Sequence, residues 1–480
     1  MLFCSERFFL FFLVVFAAYW SMPWHRLRVW LLLLASFYFY ASWNQWLAGL
    51  ICVSTALDYW VARGMDSSPS PRVRRLLLLT SIISNVGLLA YFKYANFFLQ
   101  SIEQALHAAG STATLPVLQV MLPIGISFYT FEAINYTVDV YRRQVPAERN
   151  LAHFMLFITF FPHLVAGPIV RARDFLPQIR RPKRWNWAQM QWGTGYFMLG
   201  LFKKLAIADR MALFADPVFA DPQTYGTGAV WAAVIAYAVQ IYCDFSGYTD
   251  MALGAAHLLG YRLAKNFDMP YLAPNISMFW RRWHISLSTW LRDYLFIPLG
   301  GSRSSGDPAR QRRRTAWNLM ITMTLGGLWH GASWTFVIWG MIHGVLLIAH
   351  REFRDFATQR PRFDRLLTGI PGTAVRIAAT FLAVCVGWIF FRATTLSAAT
   401  TMLGRMFVPQ AGLAPPLATI SLWWLVGVVV IAHAAGHFEL WKRAERLMPA
   451  PVVGLGYATA ATAALFLALD SGKAFIYFQF

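Results

Sequence analysis

Charged residues are scarce in this chain of 480 amino acids. They make up 13% of it, whereas hydrophobic residues make up 58%, and soluble domains average roughly 25% charged residues. The long apolar runs recur from one end of the sequence to the other. Because a membrane-spanning helix needs roughly 20 apolar residues, the composition predicts an all-α, polytopic integral membrane protein, formed by one membrane domain over residues 1–480.

Several signatures of other protein classes are also missing. The four cysteines, Cys4, Cys52, Cys243 and Cys385, are scattered and form no CxxC pair, which argues against a disulfide framework. There is no GxSxG, no P-loop and no HExxH, and these absences argue against a built-in serine hydrolase, nucleotide hydrolysis and a zinc protease. The histidines are too dispersed to indicate a metal site, and we predict none.

Charge of one sign dominates, and the net charge is +20. In a soluble protein this balance would suggest nucleic-acid binding, but here Lys and Arg cluster between apolar runs, as the positive-inside rule requires. We therefore expect the bilayer, and not nucleic acid, as the environment. The predicted cytoplasmic loops span residues 62–75, 141–150, 171–184, 301–315, 350–365 and 441–446.

The segments without Lys or Arg are predicted to lie on the opposite side of the membrane. They span residues 100–115, 215–228 and 406–419. In a Gram-negative cell these would face the periplasm, which places the chain in the inner membrane. The first 20 residues could pass for a signal peptide. Bulky aromatic residues and the lack of a small-residue cleavage site favour a retained first membrane helix.

The apolar segment 316–350 has a basic loop on each side. If both loops are cytoplasmic, the chain must enter the membrane and return, as two helices of roughly 25 Å each. Small residues near Gly326, Gly327, Gly331 and Ala332 would permit the turn, and His330 would lie there. Segments 150–168 and 270–300 are also flanked by basic loops and should dip in without spanning. Such re-entrant backbone needs protein or water around it, so we expect a central funnel.

His330, in "LGGLWHGASW", is the sharpest candidate for chemistry. Placing a titratable group within the membrane costs at least about 2–3 kcal/mol, and neighbours such as Trp329 keep water away. An apolar setting favours the neutral imidazole, which suits a general base. The alternative is a packed histidine that donates one hydrogen bond to a backbone carbonyl.

A second group lies in "NISMFWRRWHISLSTWLRDYLFIPLGG", residues 275–301. On one continuous helix, Trp280 and His284 would share a face, and Arg281 would share another with Arg292. Arginine suits phosphate recognition, so a phosphorylated carrier such as coenzyme A would fit Arg281 and Arg282. A helix at the interface with arginines reaching lipid headgroups is the alternative. Asp293 lies within the same group.

Other polar residues interrupt the apolar runs. For Asp244 and Asp250 we expect structural pairing with Arg281, Arg282 or Arg292. The stretch 200–210, which contains Lys204, resembles an interfacial anchor. We expect His163 to form at most a cavity wall.

Together the motifs resemble the membrane-bound O-acyltransferases, and within them the bacterial alginate-type branch. The matching stretches are "LPIGISFYTFEAINYTVDVYR" (122–142), "FFPHLVAGPIVR" (160–171), "GLFKKLAIADR" (200–210), "DFSGYTDMALG" (244–254), "FWRRWHISLSTWLRDYLFIPLGG" (279–301), "GGLWHGASWTFVIWG" (326–340), "VGWIFFRA" (386–393) and "FIYFQF" (475–480). The resemblance extends from about residue 70 to the last residue. A sister branch, the teichoic-acid D-alanyl transferases, shares the histidine pattern.

The resemblance implies a ring of spanning and re-entrant helices around a central funnel. It also implies His330 as the catalytic residue and His284 as a second histidine associated with activity. Trp280, Trp329, Arg281, Arg282 and Asp293 are then candidates to bind the donor or line the funnel. His343 is expected to be structural.

The family takes an acyl group from a cytoplasmic thioester, such as acetyl-coenzyme A, and delivers it across the membrane. This implies a donor substrate and no permanently bound cofactor. It also implies extracytoplasmic partner proteins that place acetyl groups on a polysaccharide. A transporter or flippase for a saccharide or lipid-linked precursor is the main competing function. Transporters often contain inverted repeats, and no such repeat is visible in this sequence.

Overall fold

The structure is a computed structural model, and it describes residues 1–303, 306–440, 447–468 and 475–476. The predicted basic loop at 441–446 and most of the terminal "FIYFQF" stretch lie outside the described residues. Within the described residues there is no β-strand, only an isolated bridge between Tyr225 and Leu413. The all-α prediction is therefore confirmed.

The described helices are α1 (Glu6–Ser21), α2 (His25–Ala41), α3 (Gln45–Ser67), α4 (Pro71–Leu89), α5 (Ala95–Ala108), α6 (Ile126–Tyr141), α7 (Leu151–Thr159), α8 (Ala172–Arg180), α9 (Trp187–Phe202), α10 (Asp209–Ala220), α11 (Thr227–Leu258), α12 (Ile276–Arg282), α13 (Ile285–Leu291), α14 (Pro308–His330), α15 (Trp334–Thr358), α16 (Pro361–Thr368), α17 (Ile370–Arg392), α18 (Leu396–Phe407), α19 (Thr419–His437) and α20 (Ala450–Leu467). Short π-helical segments cover Ala90–Tyr94, Lys203–Ala208 and Arg292–Phe296.

Six helical stretches of the described chain are long and apolar enough to cross a membrane. They are Pro71–Ala108, Thr227–Leu258, Trp334–Thr358, Ile370–Arg392, Thr419–His437 and Ala450–Leu467. The segments predicted to dip in without spanning, 150–168 and 270–300, are not among them. Their helices α7, α12 and α13 have nine, seven and seven residues, far fewer than the roughly 20 that a span requires.

Side-chain caps fix where several helices begin. The Asn150 side chain accepts from the backbone N–H groups at the start of α7, and Asn275 does the same for α12. Asp307 caps α14, which continues with a proline in its first turn. These Asn and Asp side chains accept hydrogen bonds from N–H groups that have no partner within the helix. Short and buried helices can therefore begin where the chain changes direction.

Two predicted loops are helical over part of their length. Helix α14 begins at Pro308 and α15 continues to Thr358, so much of the basic segments 301–315 and 350–365 extends the hairpin. Arginine is a good helix former, and a cluster of charged residues does not by itself end a helix. Both helices are consequently longer than the roughly 25 Å predicted.

The described residues form two compact units. The first comprises residues 1–197 and 249–264, and the second comprises 198–248 and 265–480. In the first, helices α3, α4 and α6 share a buried polar cluster, where the Asp58 carboxylate accepts hydrogen bonds from Ser81 and Asn85. The second unit contains His284, His330 and the arginines singled out in the sequence.

Candidate functional site

The α14–α15 hairpin positions His330. Helix α14 ends at His330 and α15 begins at Trp334, which confirms the predicted hairpin and its turn. The two helices approach closely because Gly327 and Gly340 face each other's backbone. A Cβ at Gly327 would overlap the Phe336 carbonyl oxygen, and one at Gly340 would overlap that of Met323.

His330 is buried in an aromatic cluster. Its ring centroid lies 5.1 Å from that of Trp339 and 5.2 Å from that of Phe391, both with edge-to-face geometry. The neighbouring Trp329 ring lies at 4.9 Å. The imidazole is therefore held in a water-poor setting, as expected from the local sequence.

His284 lies next to His330. Their ring centroids are 6.3 Å apart, and the His284 ring also contacts Trp329 at 5.9 Å and Phe245 at 4.7 Å. The structure thus brings together the two histidines that the family resemblance had singled out. Their roles in chemistry stay predictions.

His284 occupies a break between two helices. Helix α12 ends at Arg282, and His284 has a left-handed backbone (φ 43°) before α13 begins. Asn266 pins this break, because its carbonyl accepts from Ile285 N and its side chain from Ser286 N. The expectation that Trp280 and His284 share one helical face is therefore wrong.

A third buried imidazole, His343, continues the cluster. Its Nδ1 accepts a hydrogen bond from Trp280 Nε1 at 3.3 Å, and its ring lies 4.7 Å from that of Trp339. A Cβ at Gly387 would lie 3.1 Å from its Nε2. Such close packing agrees with the structural role expected of His343.

A cavity of ≈ 850 Å³ lies beside this cluster. Trp280, Arg281 and Arg292 line it, so Arg281 and Arg292 do face one space, although no single helix joins them. Arg281 also lines an adjoining cavity of ≈ 750 Å³.

Other predicted donor residues have different surroundings. Arg282 donates to the Met269 carbonyl at 3.4 Å, which holds the backbone near the helix break. Asp293 pairs with Arg292 at 2.7 Å. Trp329 is buried, and its ring contacts both the His284 and the His330 rings.

Comparison with known proteins decides the family. The model of the membrane-bound O-acyltransferase (MBOAT) family matches residues 32–391. The chain belongs to the membrane-bound O-acyltransferase family. It is an enzyme that transfers acyl groups, and this separates it from the transporter alternative.

Several relatives are similar over much of the chain. A Pseudomonas putida protein named probable alginate O-acetylase is 39% identical over the whole of both chains. The peptidoglycan O-acetyltransferase of Helicobacter pylori is 37% identical over 79% of this chain and 73% of its own. The teichoic acid D-alanyltransferase of Bacillus subtilis is 27% identical over 56% of this chain and 68% of its own.

Part of the cavity of this O-acyltransferase was not predicted from the sequence. His350, Arg351 and Arg354 of α15 line the larger space, although their segment was predicted to be a cytoplasmic loop. Helical spacing could have shown this, because Arg351 and Arg354 are three positions apart and share a face with Leu347.

The expected partner of Asp244 is wrong. Its carboxylate pairs with Lys204 Nζ at 2.7 Å, and the same Nζ lies 2.8 Å from Asp209. Asp244 also accepts from Ile476 N at 2.7 Å. Lys204 is therefore a buried member of an ion-pair network and not an interfacial anchor.

His163 lies in the first unit and is fully buried. Its Nδ1 is 3.2 Å from Glu132 Oε1, and the same oxygen accepts from Val170 N at 2.8 Å. Asn135 donates to the Val170 carbonyl. This arrangement fixes the irregular segment after α7. Across the described residues, no three His, Cys, Asp or Glu side chains lie close enough to hold a metal ion.

Proposed function

We propose that this acyltransferase takes acetyl groups from a cytoplasmic thioester donor and moves them across the bacterial inner membrane. The acceptor is an extracytoplasmic polysaccharide, of the alginate type or another exopolysaccharide. The names of the Pseudomonas and Helicobacter relatives, an alginate O-acetylase and a peptidoglycan O-acetyltransferase, support acetyl as the group and a polysaccharide as the acceptor.

One observation carries the proposal. Two buried imidazoles, His330 and His284, lie 6.3 Å apart, and one of them is at the turn of a hairpin. The other ends of that hairpin carry the basic segments at 308–315 and 350–358, which the positive-inside rule places in the cytoplasm. The histidine thus lies deep along the path that a cytoplasmic acyl group must take.

Either of two reactions would use the neutral form of the His330 imidazole. As a general base, His330 removes the proton of an acceptor hydroxyl while its oxygen attacks the thioester carbonyl, and the thiolate leaves. Alternatively, His330 attacks the carbonyl itself, and the acyl group passes from the ring nitrogen to the hydroxyl. Mass spectrometry of rapidly quenched enzyme distinguishes the two, because only the second gives an acetylated His330 peptide.

His330→Ala tests the function. We expect the variant to insert and fold, while the acetyl content of the secreted polymer falls to the level of a deletion strain. The matched control is His433→Ala, which removes another buried imidazole of the second unit, one whose Nδ1 bonds the Val429 carbonyl of its own helix. Acetylated polymer from the His330 variant at wild-type level would refute the proposal.

Delivery to the polymer requires partner proteins outside the membrane in this proposal. The chain supplies the acyl group, and extracytoplasmic acetyltransferases place it on the polysaccharide. Vesicles that contain the purified chain and a labelled donor should leave added polymer unlabelled until such proteins are supplied. Labelling by the chain alone would show that no partner is needed. The donor is a consumed substrate, and no resident cofactor is proposed.

A further inference from the structure

Arg392 ends α17 next to the aromatic cluster around His330. The preceding residue, Phe391, contributes one of the rings that contact His330, with 5.2 Å between the ring centroids. Phe391 also contacts Trp339 at 5.1 Å and Phe336 at 5.0 Å, both with edge-to-face geometry. The position of the end of α17 therefore determines one wall of the space that holds the imidazole.

An ion pair ties this helix end to α10. The Arg392 guanidinium donates to Asp216 Oδ1 at 3.0 Å. Its central carbon lies 5.8 Å from the centre of the Phe219 ring, within the usual range of a cation–π contact. Asp216 and Phe219 are three positions apart in α10 and share a face. One side chain of α17 thus makes two different contacts with one face of α10.

The α10 side of this contact is fixed in the core. Phe219 is buried, and its ring packs on that of Tyr237 in α11 at 5.4 Å. Pro217 follows Asp216 within the helix, and its ring restricts the backbone there. The end of α17, by contrast, has carbonyl groups without partners in the helix and leads into the short connection 393–395 before α18. The ion pair therefore holds the less constrained of the two helix ends.

Stability alone does not account for an arginine at this position. Asp216 lies in the segment 215–228, which has no Lys or Arg and is predicted to lie opposite the cytoplasm, where cations are few. The Nε of Arg392 is buried and has no hydrogen-bond partner among the described residues, which costs free energy of folding. An apolar residue at the helix end would avoid that cost, so the arginine indicates a role in placing the helix end.

We propose that Arg392 is a positioning residue of the acyl-transfer reaction. Through Asp216 it holds the end of α17 against α10, and through Phe391 it keeps the His330 imidazole in the orientation that the reaction needs. A misplacement of about 1 Å in a reacting group can lower a rate by about 100-fold. The inference rests on the proposed function for its reaction, whereas the effect of Arg392 on the imidazole is tested separately.

Arg392→Gln tests the role in vesicles that contain the purified chain, with acetyl-coenzyme A as the probe and the extracytoplasmic proteins and polymer supplied. Turnover should fall by about 10- to 100-fold. The KM for acetyl-coenzyme A should change less than about twofold, because a positioning residue acts on the chemical step and not on donor binding. Arg392→Lys keeps the charge that pairs with Asp216, so its turnover should stay within about threefold of the wild type.

Asp216→Asn tests the partner of the ion pair. It should lower turnover as well, and the double variant should lose no more than Arg392→Gln alone, because both changes remove one contact. Arg405→Gln is the matched control. It removes another partly buried arginine of the second unit, one that bonds the Tyr225 carbonyl, and it should keep wild-type turnover. Additive losses in the double variant, or an equal loss in the control, would overturn the inference.

A second measurement follows His330 directly. Diethyl pyrocarbonate acylates accessible neutral imidazoles, and peptide mass spectrometry gives its rate at each histidine. His330 should react at least about threefold faster in folded Arg392→Gln than in the wild type, because local opening exposes the ring, while His433 keeps its rate. Asp216→Asn carries the same test if Arg392→Gln does not fold. A lower melting temperature with unchanged turnover per folded chain and unchanged His330 reactivity would overturn the inference, because a purely structural role gives that result.

Failure of this inference and failure of the proposed function give different results. If polymer acetylation requires His330 but Arg392→Gln changes neither turnover nor the reactivity of His330, the proposed function stands and the positioning role is wrong. If Arg392→Gln exposes His330 but His330→Ala leaves acetylation intact, the effect of Arg392 on the imidazole stands and the proposed function is wrong.

Discussion

His284 combines two costs that proteins usually avoid. Its backbone is left-handed (φ 43°), which costs a non-glycine residue roughly 1–3 kcal/mol, and its imidazole is fully buried. Histidine at this position is neither the residue that adopts this backbone conformation at the lowest cost nor the residue that is buried at the lowest cost. The role predicted for His284, which needs an imidazole beside His330, would account for both costs.

His284→Asn distinguishes the contribution of the imidazole from that of the left-handed backbone conformation. Asparagine tolerates the left-handed conformation better than most residues, so we expect the variant to fold. Polymer acetylation should fall by about 100-fold or more, the usual contribution of a proton-transfer group. Acetyl content and melting temperature are measured together, and wild-type acetylation in a folded variant would contradict the role.

Lys204 shows how a cation is retained in the core. Lys204→Met leaves the buried carboxylates of Asp209 and Asp244 without their shared cation. Removing one member of a buried ion pair costs about 3–5 kcal/mol, so the melting temperature should fall sharply. Lys203→Met is the control, since Lys203 is only partly buried. Equal stability of both variants would show that the network contributes little.

Among the elements, the α14–α15 hairpin determines the location of the site. Its two helices are in contact through the glycines at 327 and 340, and the His330 ring packs on Trp339 of the facing helix. The separation of the two helices therefore sets the position of the imidazole.

Gly340→Ala should force the helices apart, because the added Cβ would overlap the Met323 carbonyl. We expect a lower melting temperature and a loss of acetyl transfer larger than the loss of folded protein. Gly404→Ala is the control in α18, where a Cβ meets nothing within 4 Å, and there helix propensity favours alanine by about 1 kcal/mol. Similar behaviour of the two variants would refute the close-packing argument.

The hairpin was predictable from the sequence because charge bias and small residues both indicated it. The helix break at His284 was not, since "RRWHISLS" contains neither glycine nor proline, and residues outside this motif, Asn266 and Met269, hold the break by hydrogen bonds. Arg351 and Arg354 were not predicted to line the cavity, for a related reason. Clustered charge predicted a loop, whereas the helix continues and directs them to a cavity.

At the scale of the whole molecule, the six candidate spans in the described part of the chain and the family match establish a multi-pass membrane acyltransferase. The predicted sidedness and the central funnel stay predictions. So does the single-domain organisation, because the chain groups into two compact units whose boundaries cut through α9 and α11.

Cysteine labelling tests the sidedness. In a chain with Cys4 and Cys52 replaced by serine, Arg313→Cys should react in intact cells only with a membrane-permeable maleimide. Ala414→Cys, in an exposed segment without Lys or Arg, should react with an impermeable one. The two native cysteines left, Cys243 and Cys385, are buried. Reaction of both sites with the impermeable reagent would invalidate the charge-based topology.

The length of α14 has a consequence for how an acyl group crosses the bilayer. From Thr315 to His330 the helix rises roughly 22 Å, and the hydrocarbon layer is roughly 30 Å thick. If the hairpin lies along the bilayer normal, as the proposed function requires, a donor held at the basic end with its arm extended to the turn would span most of the barrier by itself. In that arrangement no domain has to alternate between inward-facing and outward-facing conformations, because the acyl group is passed between groups that stay in place.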